Sequence, residues 1–361
     1  MIHVPLSSIS LTDRERRYVL KALDEGFISS TGPQVRDFER ELAKAIGTQH
    51  AVATASGTSA LEVLLRAMKI GPGDEIIVPA FTFAAPALAV VLVGAIPVFA
   101  DITLDTWTID PEEVRRLRTP RTRAVIAVDV LGHPCDYDAL AELDLLIIED
   151  AAEAYGATYK GRRAGSCGIA AIFSFHANKV ISSGEGGCIV TDDPALAAQA
   201  RQLNAFGMDT ERRYWHTEIG CNHRMSNLVA AVGLAQVERS DELIAGRQRV
   251  AAHYDRALRG LPLQRRPVAP WAGEAVWLYT VATERRDMVL ATCRRRGVDA
   301  RAVWPALIEN PAFRGYAGQA CPRAQIVANS ALWLPTWADM PAEAIDAVAT
   351  AVTEAFVMEA G

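Results

Sequence analysis

Between residues 33 and 240, short apolar runs alternate with segments whose apolar residues recur every three or four positions. The runs His50–Thr54, Glu75–Pro79, Pro97–Ile102, Ala124–Val130, Leu143–Glu149, Ala170–Phe175 and Gly187–Thr191 read as strands. Several are almost unbroken in β-branched residues or leucine, as strands covered on both faces are. The amphipathic segments between them, such as Gln34–Ile46, Ser59–Met68, Pro111–Leu117 and Pro194–Leu203, read as helices. This alternation predicts an α/β domain built on a mostly parallel sheet of seven strands.

After the last of these strands the pattern changes. A long helical stretch from Ser226 to about Leu258 leaves the sheet, and the segment Pro262–Gly273, rich in proline and arginine, reads as a connector. The remainder predicts a compact α/β unit that closes with a helix over Pro341–Met358. The expected division is a large domain over residues 1–240, N-terminal arm included, and a small C-terminal domain over 241–361 that takes in the linking helix. A chain of 361 residues is long enough for both.

One uncharged stretch, Pro79 to Ala100, has the length of a membrane span. Pro86, Gly94 and Pro97 interrupt it, and a buried helix running into a core strand accounts for it better, so no membrane partner is expected. The formal net charge of −6 argues against nucleic acid, whose phosphates call for a basic surface. The six cysteines form no C-x-x-C pair, which removes the usual zinc knuckle and redox dithiol. His216, Cys221 and His223 are close in sequence, but their spacing matches no common ligand pattern, and no metal is expected. With no basic segment leading into an apolar run at the start, a cytoplasmic protein with reduced thiols is expected.

Four short elements carry chemistry. Lys179 ends the stretch Phe173-Ser174-Phe175-His176-Ala177-Asn178-Lys179, between a core strand and the turn Gly184-Glu185-Gly186-Gly187. The chain has five lysines against 32 arginines, and lysine is the residue retained where a neutral amine must form a Schiff base. A solvated loop lysine is the plain alternative. Asp150 closes the apolar run Leu145-Leu146-Ile147-Ile148-Glu149, at the strand end where α/β sheets bind ligands. A carboxylate there can hold a protonated pyridine nitrogen, or it can simply cap the next helix. Ser56-Gly57-Thr58 joins a strand to a helix and suits an anion, through close backbone approach and the free amides of the helix start. Phe83, after Pro79-Ala80-Phe81-Thr82, could stack on a planar ring or fill the core. Phosphate cup, aromatic, strand-end aspartate and loop lysine follow the order that a fold-type I pyridoxal-phosphate enzyme requires.

With these elements in place, the chain resembles the DegT/DnrJ/EryC1/StrS family of sugar aminotransferases over roughly residues 3–350. The resemblance rests on Gly26-Phe27-Ile28-Ser29-Ser30-Thr31-Gly32, on Ser56-Gly57-Thr58, and on Pro79-Ala80-Phe81-Thr82-Phe83. It rests further on Glu149-Asp150-Ala151-Ala152, the run from Ser174 through Lys179 to Gly187, and Gly220-Cys221-Asn222-His223-Arg224-Met225. It implies a fold-type I, aspartate aminotransferase-like architecture with pyridoxal 5'-phosphate as cofactor. Lys179 would bind it as a Schiff base and move a proton, Asp150 would pair with the ring nitrogen, and Phe83 would stack on the ring. Ser56, Gly57, Thr58 and Ser174 would hold the phosphate, and Asn222 would reach it from the neighbouring subunit of a homodimer with shared active sites.

Glu153 stands where many members have glutamine or histidine. Beside the cofactor's phenolic oxygen it would have to be protonated, or else turn toward substrate. Members with histidine at the lysine position dehydrate sugars, and Lys179 argues against that here. The activity implied is transfer of an amino group from glutamate or glutamine to a nucleotide-linked keto-deoxysugar. The Phe27–Gly32 segment resembles members that act at C4. The same residues would also serve a 3-keto sugar nucleotide or a keto-inositol.

Overall fold

The computed structural model describes residues 3–357. Its large sheet contains β1 (His50–Thr54), β2 (Glu75–Pro79), β3 (Ile96–Ala100), β4 (Thr122–Val128), β5 (Leu146–Asp150), β6 (Ala170–Ser174) and β7 (Gly187–Thr191). The spatial order is β1-β7-β6-β5-β4-β2-β3. Only β7 runs antiparallel to its neighbours, so the sheet is seven-stranded and mostly parallel, as the apolar runs predict. The helices before and between these strands are α1 (Asp13–Asp24), α2 (Pro33–Ile46), α3 (Gly57–Ala67), α4 (Ala85–Leu92), α5 (Pro111–Leu117) and α6 (Tyr137–Ala141). After β7 come α7 (Pro194–Asn204), α8 (Asn227–Glu238) and α9 (Ser240–Ala257).

Register decides what the sheet presents. Val128 pairs with Asp150, Asp150 with Ile172, and Gly187 with both Ser174 and Thr54. The carboxyl ends of β1, β4, β5 and β6 therefore lie along one edge of the sheet. That edge is where open α/β sheets place their ligands.

Three expectations are corrected. The helical stretch from Ser226 to Leu258 is two helices, broken at Arg239, whose backbone leaves the helical region (φ −118°, ψ 19°). Arg239 is buried there, donating to the Ser10 carbonyl (3.0 Å) and pairing with Glu15 and Glu242, which ties α1 to the break. The helix expected to be buried within Pro79–Ala100 is α4, and Leu88 and Leu92 stand exposed on it, so one apolar face is uncovered. The segment Pro262–Gly273 is more than a connector: Gln264–Arg265 pairs with Ala282 and Val281, and Ala272–Gly273 pairs with Tyr159 and Thr158. Among the described residues no helix is long and apolar enough to cross a membrane.

The C-terminal part folds around an antiparallel four-stranded sheet, β8 (Gln264–Arg265), β9 (Tyr279–Ala282), β10 (Arg301–Ala302) and β11 (Ala331–Leu334), in the order β8-β9-β11-β10. Tyr254 of α9 packs there with Tyr279, Leu332, Leu334, Val348 and Val352 as a second apolar core. Trp277, Val303, Leu307 and Trp333 instead join the core of the large sheet, so the two parts meet through apolar contact. The closing helix runs from Ala342 to Val357, and the expected end at Met358 lies outside the described residues.

Candidate active site

At the carboxyl edge of the sheet, β1 turns into α3 through an extended Ser56 (φ −164°), whose Oγ accepts the Ser59 amide at 3.1 Å. Such a cap satisfies one of the free amides of a helix start and leaves others for an anion. The turn is pressed against its neighbours. A Cβ on Gly57 would stand 3.0 Å from the Ser174 Cβ, and one on Gly187 would meet the Ser56 carbonyl carbon at 2.3 Å. Glycine is what lets three backbone segments close into a cup there.

The pleat separates the two acids at the end of β5. Glu149 is fully buried on one face, accepting the amides of Cys167 (2.8 Å) and Gly168 (3.3 Å) as well as that of Gly165. It clamps the turn ahead of β6. Asp150 faces the cavity and accepts the Ala152 amide at 3.1 Å. Burial pushes its carboxyl up to about 7, with the neighbouring Glu153 adding to the rise and Lys179 opposing it. A cationic ring nitrogen within hydrogen-bond range would return that carboxyl to its ionised form.

Lys179 reaches into the same cavity. Its Nζ lies 3.4 Å from Glu153 Oε1 and 4.1 Å from the centre of the Trp277 ring. Glu153 is itself buried, and its second oxygen accepts the Leu131 amide at 2.8 Å. That amide is aimed by unusual backbone: Leu131 has φ +56° and Gly132 φ +84°, and a Cβ on Gly132 would collide with the Ala275 carbonyl oxygen at 2.1 Å. Burial raises the Glu153 pKa, and the Lys179 charge opposes that rise. Glu153 is thus held toward its protonated form and faces Lys179.

The cavity measures about 360 Å³. Ser56, Gly57, Thr58, Phe83, Asp150, Glu153, Ser174 and Lys179 all line it. Phe83 is half exposed and stands 6.3 Å from Trp304. Asn222 does not line it: exposed on the segment after α7, it accepts from Arg224 Nε at 3.1 Å. Phe206, Tyr214, Trp215 and Ile219, on the same segment after α7, are exposed, Ile219 by 91%. Sequence reasoning missed Trp277, Trp304 and Trp333, which wall the cavity from the C-terminal part and pack on one another at 4.8–5.8 Å. They sit in no motif, and only their tryptophan identity could have singled them out. His216 and His223 turn to different partners, the Phe206 carbonyl and Glu62, and among the described residues no cluster suits a metal.

Known proteins match this arrangement along nearly the whole chain. The family model of the DegT/DnrJ/EryC1/StrS aminotransferases fits residues 10–353. The chain belongs to that family. It is a pyridoxal-phosphate-dependent sugar aminotransferase of fold type I. It is 40% identical to GDP-perosamine synthase of Caulobacter vibrioides over 98% of both chains. It is 41% identical to dTDP-3-amino-3,4,6-trideoxy-alpha-D-glucose transaminase of Streptomyces venezuelae, over 88% of this chain and 85% of that one. The crystal structure of S. venezuelae DesV in complex with a ketimine intermediate superposes with a TM-score of 0.92 at 38% identity, covering 98% of each chain. The residues present fit the cofactor: a glycine cup that a Cβ would fill, a buried acid whose pKa burial raises, and a lysine lining the same aromatic-walled cavity.

Proposed function

We propose that this sugar aminotransferase moves an amino group from L-glutamate to C4 of a nucleotide-linked keto-deoxysugar. Bound pyridoxal phosphate supplies an electron sink and carries nitrogen between donor and acceptor. The chain's own residues do the rest. Lys179 would hold the cofactor covalently, and its Nζ would take up and return a proton. Asp150 would pair with the ring nitrogen, and Glu153, its pKa raised by burial, faces the Lys179 amine. Ser56, Gly57, Thr58 and Ser174 would hold the phosphate, and Phe83 would lie against the ring. The observation that carries this reading is Lys179 and Asp150 facing one cavity, the lysine set against Glu153 and Trp277.

Asn222 serves the phosphate of a neighbouring subunit in a homodimer. The exposed Phe206, Trp215 and Ile219 near it, and Leu88 and Leu92 on α4, support such an interface. The six cysteines are all free, which fits the cytoplasm. C4 is favoured by the match to GDP-perosamine synthase over 98% of both chains. The test is mass spectrometry of products from a panel of 4-keto and 3-keto sugar nucleotides and keto-inositols, with glutamate as donor. Amination of a 4-keto sugar nucleotide and release of 2-oxoglutarate are expected. Turnover confined to 3-keto sugars or keto-inositols would overturn the assignment.

A further inference from the structure

Arg247, on α9, lies outside the cavity lining and belongs to none of the motifs above, yet it is 3% exposed. Its two terminal nitrogens donate to backbone carbonyls alone, while Nε is buried without a hydrogen-bond partner. Nη2 donates to Lys179 O (2.9 Å) and Asn178 O (3.3 Å). Nη1 donates to Thr336 O (3.2 Å) and to Trp277 O. Among the described residues no carboxylate forms a salt bridge with it, and burial pulls its pKa down to about 10, the charge of Asp339 opposing the fall. A buried cation without a paired anion is costly, and replacing buried charge by apolar groups is often neutral or stabilising. A merely structural strut here has cheaper solutions.

The geometry of those carbonyls gives the residue a further task. Trp277 is the ring over which the Lys179 amine stands at 4.1 Å, and its indole nitrogen donates to Asn178 O at 2.9 Å. One guanidinium therefore fixes the main chain of the lysine, the main chain of its predecessor, and the main chain of the tryptophan that walls the amine. Thr336, two residues past β11, adds the chain leaving the C-terminal sheet to the same node. A planar fork of five donors spans carbonyls on both sides, whereas an ammonium is a single point with three.

We infer that Arg247 is a positioning residue that sets where the Lys179 amine stands, by tying the Asn178–Lys179 backbone and the Trp277 backbone to one guanidinium. None of the Arg247 hydrogen bonds reaches the phosphate cup at Ser56–Thr58 and Ser174, which is joined to Lys179 through His176. Loss of Arg247 therefore disturbs the bond to lysine while sparing cofactor recognition. The inference rests on Lys179 being the cofactor lysine.

The experiment uses Arg247→Lys and Arg247→Met with two probes. Pyridoxal phosphate capture is followed by borohydride trapping and peptide mass spectrometry at Lys179. Pyridoxamine phosphate, which forms no bond to lysine, reports recognition by the cup. In Arg247→Lys, pyridoxamine phosphate affinity stays within about twofold, and capture slows about tenfold or more, since a misplacement near 1 Å is enough for such losses. Arg247→Met is slower still, with the lysine variant intermediate. Capture within about twofold of wild type in both variants would overturn the inference, as would equal weakening of both probes together with a lowered melting temperature. If Arg247→Met does not fold, Arg247→Lys alone decides. An absence of wild-type adduct at Lys179 sinks the functional reading as well, whereas an intact adduct with unaffected variants sinks only the role of Arg247.

Discussion

Asp150 couples stability to pH in a way that Asp150→Asn should abolish. In the cofactor-free protein burial raises this carboxyl from 3.8 to about 7. An acid whose folded pKa is raised stabilises the fold fully below its unfolded value and loses that contribution as pH rises through the folded value. The window is therefore pH 3.8 to about 7, and at 1.36 kcal/mol per pH unit the full loss is on the order of 4 kcal/mol. Asparagine keeps an oxygen for the Ala152 amide but never ionises. Urea unfolding of both proteins without cofactor, at fixed concentration, should show Asp150→Asn gaining on wild type by roughly 3 kcal/mol between pH 5 and pH 8, with no further gain above. Pyridoxal phosphate should stabilise wild type more than the variant at pH 8, because only an ionised Asp150 can pair with the ring nitrogen. The half-reaction with glutamate should slow by orders of magnitude in the variant. Parallel stability curves for the two proteins across pH 5–8 would refute the reasoning, since Asp150 would then carry no buried-charge cost.

Three further outcomes are expected. Lys179→Ala should abolish the Schiff-base absorbance of bound pyridoxal phosphate and the borohydride-reducible adduct; an adduct persisting on another lysine, found by peptide mass spectrometry, would remove Lys179 from its role. Gly57→Ala places a methyl 3.0 Å from the Ser174 Cβ and should weaken cofactor binding about tenfold, near 1.4 kcal/mol, by fluorescence titration; unchanged affinity would show that the cup lies elsewhere. Lys179→Ala and Asn222→Ala, each inactive alone, should return to about a quarter of wild-type activity when unfolded and reassembled together, since about half the dimers then carry one intact site. No recovery, despite demonstrated heterodimers, would place Asn222 outside its neighbour's site.

Most of what the chain declares locally is what the strand-and-turn grammar carries. The apolar runs become β1 to β7 because two-sided burial needs apolar residues at every position, a demand visible without any partner. The cup at Ser56–Thr58, the acids closing β5 and the lysine after β6 lie at strand ends, so their nearness to one another follows once the sheet is parallel. The sequence resemblance adds the cofactor and the family.

Other features depend on contacts between segments far apart in the chain. Which of Glu149 and Asp150 faces the cavity is a matter of pleat and register, and a slip of one residue would exchange them. The partner of Glu153 is an amide 22 residues away, delivered by positive-φ backbone at Leu131. Trp277 meets Asn178 across 99 residues and Arg247 meets Lys179 across 68, through docking of the C-terminal sheet and α9 against the large domain. No periodicity records such docking, because hydrophobic period shows which face of an element is covered and not what covers it. Asn222 marks the same boundary: its motif is legible in the chain, but only the tertiary structure decides that it stays out of this cavity's lining while the adjoining His223 and Arg224 bond to Ala55 and Thr54 at the end of β1.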